Sequence, residues 1–461
     1  MIFRMPNEKL RKIRDAPRIS GRVLSVWLII LLFGLAARGG AAQSDPAALP
    51  PDLDVKEART LALLYNPGLA RLKAQLAEQD GVLSEIRAAK NPRLDATGNY
   101  TEEDENKLQS FGASSAPDRT RWDANIEAGI TVFTGGRNRY AMKSGIAQRR
   151  ALRGDIAARE QQLVVDVYHA FLDAWLAQDT THVQREAMGV LEEQLNLAKN
   201  RLDAGTGARF DVLQAEVVLA NARPPLIRAQ NDFRRAMDRL RRFIGLPYPE
   251  GVEAEDMKLN GIPDEVDDEI SRPLHEAILM ATEQRPEIEA VEYEAEAARH
   301  EMESTRRANR PQVDLFARYG IENDPFGEMD ELHGWTAGVR VNWALSDGGL
   351  RKGQVQQAQS RLDQASLEKD ELILEVEGEV REAYYNFLEA KSILETSQLV
   401  IQQAEEALRL ARNRYQAGRG TQLDVLESQL QLTRAKLERS TALHDMNLAS
   451  IEIKRAVGVD L

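Results

Sequence analysis

A mainly α-helical protein with a small β part, built from two tandem repeats, is the fold class that this 461-residue sequence predicts. Three observations carry it. The stretch RLDAGTGARFDVLQAE at 201 to 216 returns as RYQAGRGTQLDVLESQ at 414 to 429, an offset of 213 residues. Two stretches of 68 residues, 136 to 203 and 349 to 416, contain no proline and are rich in charge. Four segments of roughly ten residues alternate apolar with polar side chains, the period of a strand with one wet face.

Residues 1 to 22 hold Arg4, Lys9, Arg11, Lys12, Arg14, Arg18 and Arg22, ahead of the apolar run VLSVWLIILLFGLAA and a small-residue site at Gly40-Ala41-Ala42. A basic front, an apolar centre and a small-residue exit read as a secretory signal over residues 1 to 42. The run falls short of the ~20 apolar residues that a spanning helix needs, which disfavours a retained anchor. Removing the segment takes the net charge from −13 to −19, because its eight Lys and Arg face only Glu8 and Asp15. So acidic a chain is a poor partner for nucleic acid, whose phosphates call for cations. The chain has no Cys, which excludes disulfides, thiolate metal sites and lipid-modified cysteines. Stability must come from packing and assembly.

The first repeat spans residues 43 to 260 and the second 261 to 461. EARTLALLYNPGL from 57 and EAILMATEQRPEI from 276 open the two copies, and NPRLDA from 91 aligns with RPQVDL from 310. Strands follow at about 92–102 and 121–133 in the first copy, and at about 312–322 and 333–345 in the second. On one face stand Trp122, Ala124, Ile126, Ala128, Ile130 and Val132, and in the second copy Trp335, Ala337, Val339, Val341 and Trp343. Polar residues such as Asn125, Glu127 and Arg340 take the other face. The pattern alone fits a soluble hairpin packed on a core. Strand length changes the reading, since ~9 to 11 residues match a tilted bilayer crossing. Trp122, Tyr100, Tyr319, Trp335 and Trp343 then fall where interface aromatics sit. On this reading Trp122, Ile126, Ile130, Trp335, Val339 and Trp343 face lipid. Four strands cannot close a barrel and open edges cannot face lipid, so several chains must complete the cylinder, two supplying eight strands and three twelve.

Gly135-Gly136 and Gly348-Gly349 stand between strand and long helix as backbone hinges, because glycine reaches dihedrals closed to other residues. The long helices, about 136–203 and 349–416, would each run about 100 Å at 1.5 Å per residue. Gly205 and Gly418 end them, and return helices follow at about 208–245 and 421–458. In each copy the two shorter helical pieces, of 25 and 38 residues, nearly match the long helix in length, so they stack end to end beside it. Segments near 43–66 and 246–285 would form a girdle at the join, with no tail beyond Leu461 to thicken it. Pro224-Pro225 predicts a break or kink in the first return helix.

With these parts in the same order in both halves, the chain resembles the TolC-type outer-membrane efflux proteins over roughly residues 50 to 461. The likeness is carried by VFTGGRNR and ALSDGGLRKG at the strand-to-helix transitions, by AGTGARFDVL and AGRGTQLDVL at the turns, and by the Asn-Pro and Arg-Pro openings. The resemblance implies a homotrimer whose twelve strands form a pore in outer-membrane lipid and whose stacked helices extend it as a tunnel across the periplasm. It implies a periplasmic adaptor (membrane fusion protein) and an inner-membrane transporter as partners, no cofactor, and passive export for an efflux pump or a type I secretion system. The alternative is a periplasmic coiled-coil adaptor or structural protein with a soluble β-hairpin domain.

No catalytic or metal motif is complete. His275-Glu276 and His300-Glu301 begin like a zinc motif, but Leu279 and Ser304 stand where its second His belongs. An enzyme is not expected. Asp211 and Asp424 lie in first helical turns, where a carboxylate offsets the helix dipole, and Thr421 with Asp424 reads as an N-cap pair. The resemblance places these turns at the periplasmic mouth, where Asp424 and Glu427 would repeat as an acidic ring and Tyr415 would help hold the mouth closed. The first turn has Leu202, Asp211 and Gln214 at the matching places, so the second hairpin is expected to carry the constriction.

Overall fold

The computed structural model describes residues 48 to 102, 120 to 261, 273 to 323 and 332 to 459. The expected signal segment and most of the two strand-joining loops lie outside them. The first repeat runs β1 (Asp52–Asp54), α1 (Val55–Tyr65), α2 (Pro67–Ala88), β2 (Arg93–Glu102), β3 (Thr120–Phe133), α3 (Arg137–Asp203), α4 (Arg209–Ile244) and β4 (Lys258–Asn260). The second runs α5 (Leu274–Gln284), α6 (Pro286–Arg307), β5 (Gln312–Glu322), β6 (Leu332–Asn342), α7 (Leu350–Gln416) and α8 (Gln422–Val457).

Paired glycines turn each strand into its long helix. Gly135 and Gly136 stand at φ 65° and 88°, Gly348 and Gly349 at 63° and 94°, all in the left-handed region where a side chain is strained. α3 and α7 then run for 67 residues each. Both stop in the same turn: the Thr206 and Arg419 N–H groups donate to the carbonyls of Arg201 and Arg414, each at 2.9 Å. Gly205 and Gly418 supply the left-handed residue that such a turn requires.

The shorter helices meet end to end. Asn66 accepts from the Leu69 N–H at 3.0 Å to start α2, and its amide donates to the Phe243 carbonyl at 2.7 Å, tying α2 to the end of α4. In the second repeat the buried Arg285 starts α6 and pairs with Glu287 and, at 2.6 Å, with Glu379 of α7. β1 and β4 pair in parallel beside the first joint.

α4 continues as one helix through Pro224 and Pro225, so of the expected break or kink the break does not occur. Leu219 and Leu226, buried on either side of the pair, hold both halves of the helix against its neighbours, and that packing outweighs the lost backbone bonds.

The helices form a layer with two open sides. α2 and α4 lie on one side of α3, α6 and α8 on the other, and α7 packs beyond α6 and α8. Successive burial of Leu163, Val164, Val165 and Val167 shows α3 covered all round at its middle. α7 buries one stripe, including Val376, Val380 and Phe387, and exposes Leu367, Leu374, Tyr385, Leu388 and Leu399.

The sheet repeats that plan in the order β2-β3-β5-β6, antiparallel throughout, with β2 and β6 as its open edges. Register places Ala96, Ile126, Tyr319 and Trp335 in one row and Ile130, Leu315 and Val339 in another, so the apolar residues of all four strands share a face. Two details depart from strict alternation. A bulge between Thr131 and Phe133 sets Phe133 opposite Val313 of the apolar face. β6 ends at Asn342 rather than near 345, because the Asp347 carboxylate gathers the N–H groups of Gly349 and Arg351 and bends the chain into α7. Trp343 therefore lies past the strand, its indole N–H donating to the Asn309 carbonyl at 3.0 Å.

Candidate channel wall and aperture

The apolar face of the sheet has no cover. Leu94, Tyr100, Ile126, Trp335, Val339 and Trp343 are more than half exposed, and Trp122 and Ile130 are half-buried between neighbouring strands. Trp335, at 78% exposure, stands at the end of β6 far from the helices, while Trp343 stands at the helical end. The opposite face satisfies its own polar groups. Arg318 grips Glu127 through Nε and Nη2 at 2.9 and 2.6 Å, Asn99 and Asn125 donate to Asp123, and Thr131 donates to Asp314 at 2.6 Å. Such a sheet fits lipid on one side and water on the other. Among the described residues no helix is long and apolar enough to cross a membrane.

At the far end, the two helical turns share a backbone and differ in side chains. In the second, the Thr421 N–H donates to the Asp424 carboxylate at 2.8 Å, and the Asp424 N–H donates to the Thr421 hydroxyl at 3.2 Å. This reciprocal box starts α8. The Thr421 backbone N–H, then its hydroxyl, and then the charge of Arg414 hold the Asp424 carboxyl below its ordinary range. Asp424 and Glu427 are exposed three residues apart, on one side of the helix. In the first turn Ala208 stands at the place of Thr421, so α4 starts with no side-chain cap and Asp211 is half-buried.

Tyr415 lies under the Arg201 guanidinium at 4.3 Å, a cation–π contact that joins the last turns of α7 and α3. Its ring also packs against Leu408, Val425 and Leu432. Within one chain, then, Tyr415 meets the first hairpin, while Asp424 bonds within its own turn. The Arg201 contact was hidden from sequence reasoning. Its one trace is that Arg201 and Arg414 occupy matching repeat positions.

An apolar-faced sheet hinged by glycines onto long helical hairpins defines an outer-membrane channel subunit. The family model described as outer membrane efflux protein matches residues 58–246 and 277–459, and the chain belongs to that family. It is 26% identical to the outer membrane efflux protein BepC of Brucella suis over 93% of this chain and 89% of that one. It is 25% identical to the alkaline protease secretion protein AprF of Pseudomonas aeruginosa, over 69% of this chain and 66% of that one. The fold matches the Campylobacter jejuni CmeC outer membrane channel with a TM-score of 0.75 at 15% identity, over 91% of this chain and 90% of that one. The soluble-hairpin adaptor alternative gives way to this family, which is one of channels placed in the outer membrane.

Proposed function

We propose that three copies of the chain close into a passive exit duct, twelve strands crossing the outer membrane and the helical layer enclosing a periplasmic tunnel. One observation carries the reading. The sheet and the helical layer are open at the same two ends, β2 with α2 and α4 on one side, β6 with α7 on the other. A head-to-tail neighbour covers both at once, and a rotation of one third of a turn between copies closes such an arrangement into a ring of three.

The repeat supplies the template for that contact. α4 exposes Phe210, Leu213, Val217 and Ile227 in a coiled-coil spacing. At an offset of 213, Leu213 matches Leu426 of α8, which is buried against Leu191 and Leu195 of α3. The seam that α8 fills within the chain is the one that α4 leaves for the α7 of the next copy.

In this reading Trp122, Ile126, Ile130, Trp335, Val339 and Trp343 face lipid, and the second turn narrows the mouth with Asp424, Glu427 and Tyr415. Asp211 lines the mouth behind them. Relatives named for efflux and for protease secretion support an adaptor and an inner-membrane transporter as partners. Native mass spectrometry of the detergent-solubilised protein tests the assembly. A mass of three chains is expected, with the protein in the outer-membrane fraction, and a well-folded monomer would contradict it.

A further inference from the structure

The seam between the two repeats, where α8 lies along α3, is apolar near the turn, with Leu426 against Leu191 and Leu195, and polar from Lys436 onward. Lys436 meets Glu186 at 2.7 Å, the Ser440 hydroxyl donates to Asp179, His444 meets Asp173 at 3.1 Å, and Glu452 meets His169 at 3.1 Å. Within the second hairpin the seam is apolar instead, with Val376, Val380 and Phe387 of α7 against Met446, Ala449 and Ile453 of α8. Over this stretch the contact between the repeats can respond to protons, whereas the core of the hairpin cannot.

His444 is the buried ionisable member of the polar seam, one turn from the buried Ser440. Its Nε2 faces the Asp173 carboxylate at 3.1 Å and its Nδ1 faces that of Asp445 at 2.9 Å. Two carboxylates on two ring nitrogens require two N–H donors, which only the imidazolium has. In either neutral tautomer one carboxylate would face a lone pair at hydrogen-bond distance. From α3, Asp173 and His169 face this region; from α4, Arg239 holds the second oxygen of Asp173 at 2.8 Å; from α8 itself come Asp445 and Glu452. From α7, Glu379 meets Arg455 of α8 at 3.8 Å, about three turns along, and Glu382 lines the cavity beside the seam. A cavity of about 490 Å³ lined by His169, Asp173, Arg239, Glu379 and Glu452 opens beside the seam and gives protons a route to it.

We propose that His444 is a proton-dependent latch between the repeats: protonated, it ties the second hairpin to α3, and its deprotonation loosens the hairpin that carries the mouth. This rests on the reading of that hairpin as the constriction. Hydrogen bonds to His444 and the charge of Arg239 hold the Asp173 carboxyl below its ordinary range, so it stays ionised through neutral pH. For His444, burial favours the neutral ring, but the bonds and charges of Asp173 and Asp445 prevail and raise its proton affinity. The latch is therefore complete below about pH 6.5 and is lost as pH rises through the raised value. Asp424, depressed instead, keeps its charge across that window.

With no native Cys, Asp203→Cys and Gln416→Cys place the only two spin labels of a chain at the ends of α3 and α7. Full-length labelled chains diluted into unlabelled trimers give the distance between hairpin ends by dipolar spectroscopy. The expected result is a short, narrow distance at about pH 5.5 and a longer, broader one at about pH 8.5, and His444→Gln should show the broad form at both. Asp445→Asn, which removes one carboxylate, should move the wild-type transition to lower pH, and it serves if His444→Gln does not assemble. An unchanged distance across the window, or the same transition in His444→Gln, overturns the latch. Planar-bilayer conductance over the same range separates the two ideas: a distance change without a conductance change keeps the latch and removes the constriction reading.

Discussion

The turn at Gly205 and the turn at Gly418 share one backbone, down to the hydrogen bonds that close them. The first has a single Thr206 hydroxyl bond to the Arg201 carbonyl, and the helix start is boxed by side chains in the second alone. Thr421 and Asp424 cap each other there, and Tyr415 is stacked on Arg201. The first has Ala208 at the cap and Phe210 71% exposed. The duplicated unit keeps what the backbone demands, glycine at the left-handed position and Asp-Val-Leu at the helix start, while the remaining side chains diverge toward different neighbours. One turn is finished within the chain. The other presents surface for something else to cover.

Matched substitutions in the two repeats test this difference. The largest effect is expected at the outer seam. Leu213→Asp should abolish the trimer, read by native mass, because a charge would enter the buried contact between copies. At the equivalent Leu426, already buried within the chain, Leu426→Ala should cost about 2 to 5 kcal/mol in thermal unfolding. If Leu213→Asp leaves the assembly intact, the α4 seam is not an interface.

In the sheet the repeats should behave alike. Ile126→Arg and Val339→Arg should each impair insertion by about 2 to 4 kcal/mol if they sit at mid-bilayer, measured by folding into lipid vesicles. Asn125→Arg and Arg340→Asn, on the other face, should leave insertion unchanged and alter conductance. Equal penalties on both faces would mean that this sheet does not divide lipid from water.

A smaller effect is expected at the caps. Thr421→Ala should lower stability by about 1 kcal/mol, and Ala208→Thr should raise it, since Asp211 already stands where the box needs its second member. The smallest is a pH effect. Because the Asp424 carboxyl is depressed, the second turn's cap is intact above the ordinary carboxylate value and is lost as pH falls through the lower one. Amide protection, taken relative to the intrinsic exchange rate at each pH, should fall at 421 to 424 on acidification and change less at 208 to 211.

Much of the fold was legible because it is periodic. Glycine pairs, proline-free runs and a strict two-residue alternation mark hinges, helices and strands, and none of them needs a distant partner to be read. What escaped the sequence depends on such partners. The helix survives Pro224-Pro225 because Leu219 and Leu226 pack on either side, the bulge before Phe133 follows from its pairing with Val313, and β6 stops early because Asp347 claims the next amides. The glycines and caps of the candidate site were visible as local signals. Arg201 over Tyr415 and His444 against Asp173 join residues more than 200 positions apart, beyond the reach of any local pattern.

If three chains form a duct whose mouth is narrowed by the second hairpin, planar-bilayer recording of two double variants will show it. Asp424→Ala with Glu427→Ala should abolish cation selectivity and block by multivalent cations while the trimer stays intact. The matched pair in the first turn, Asp211→Ala with Gln214→Ala, should leave both largely in place. Selectivity and block unchanged in the first variant, with only a loss of stability, would make Asp424 a helix cap alone and move the constriction elsewhere.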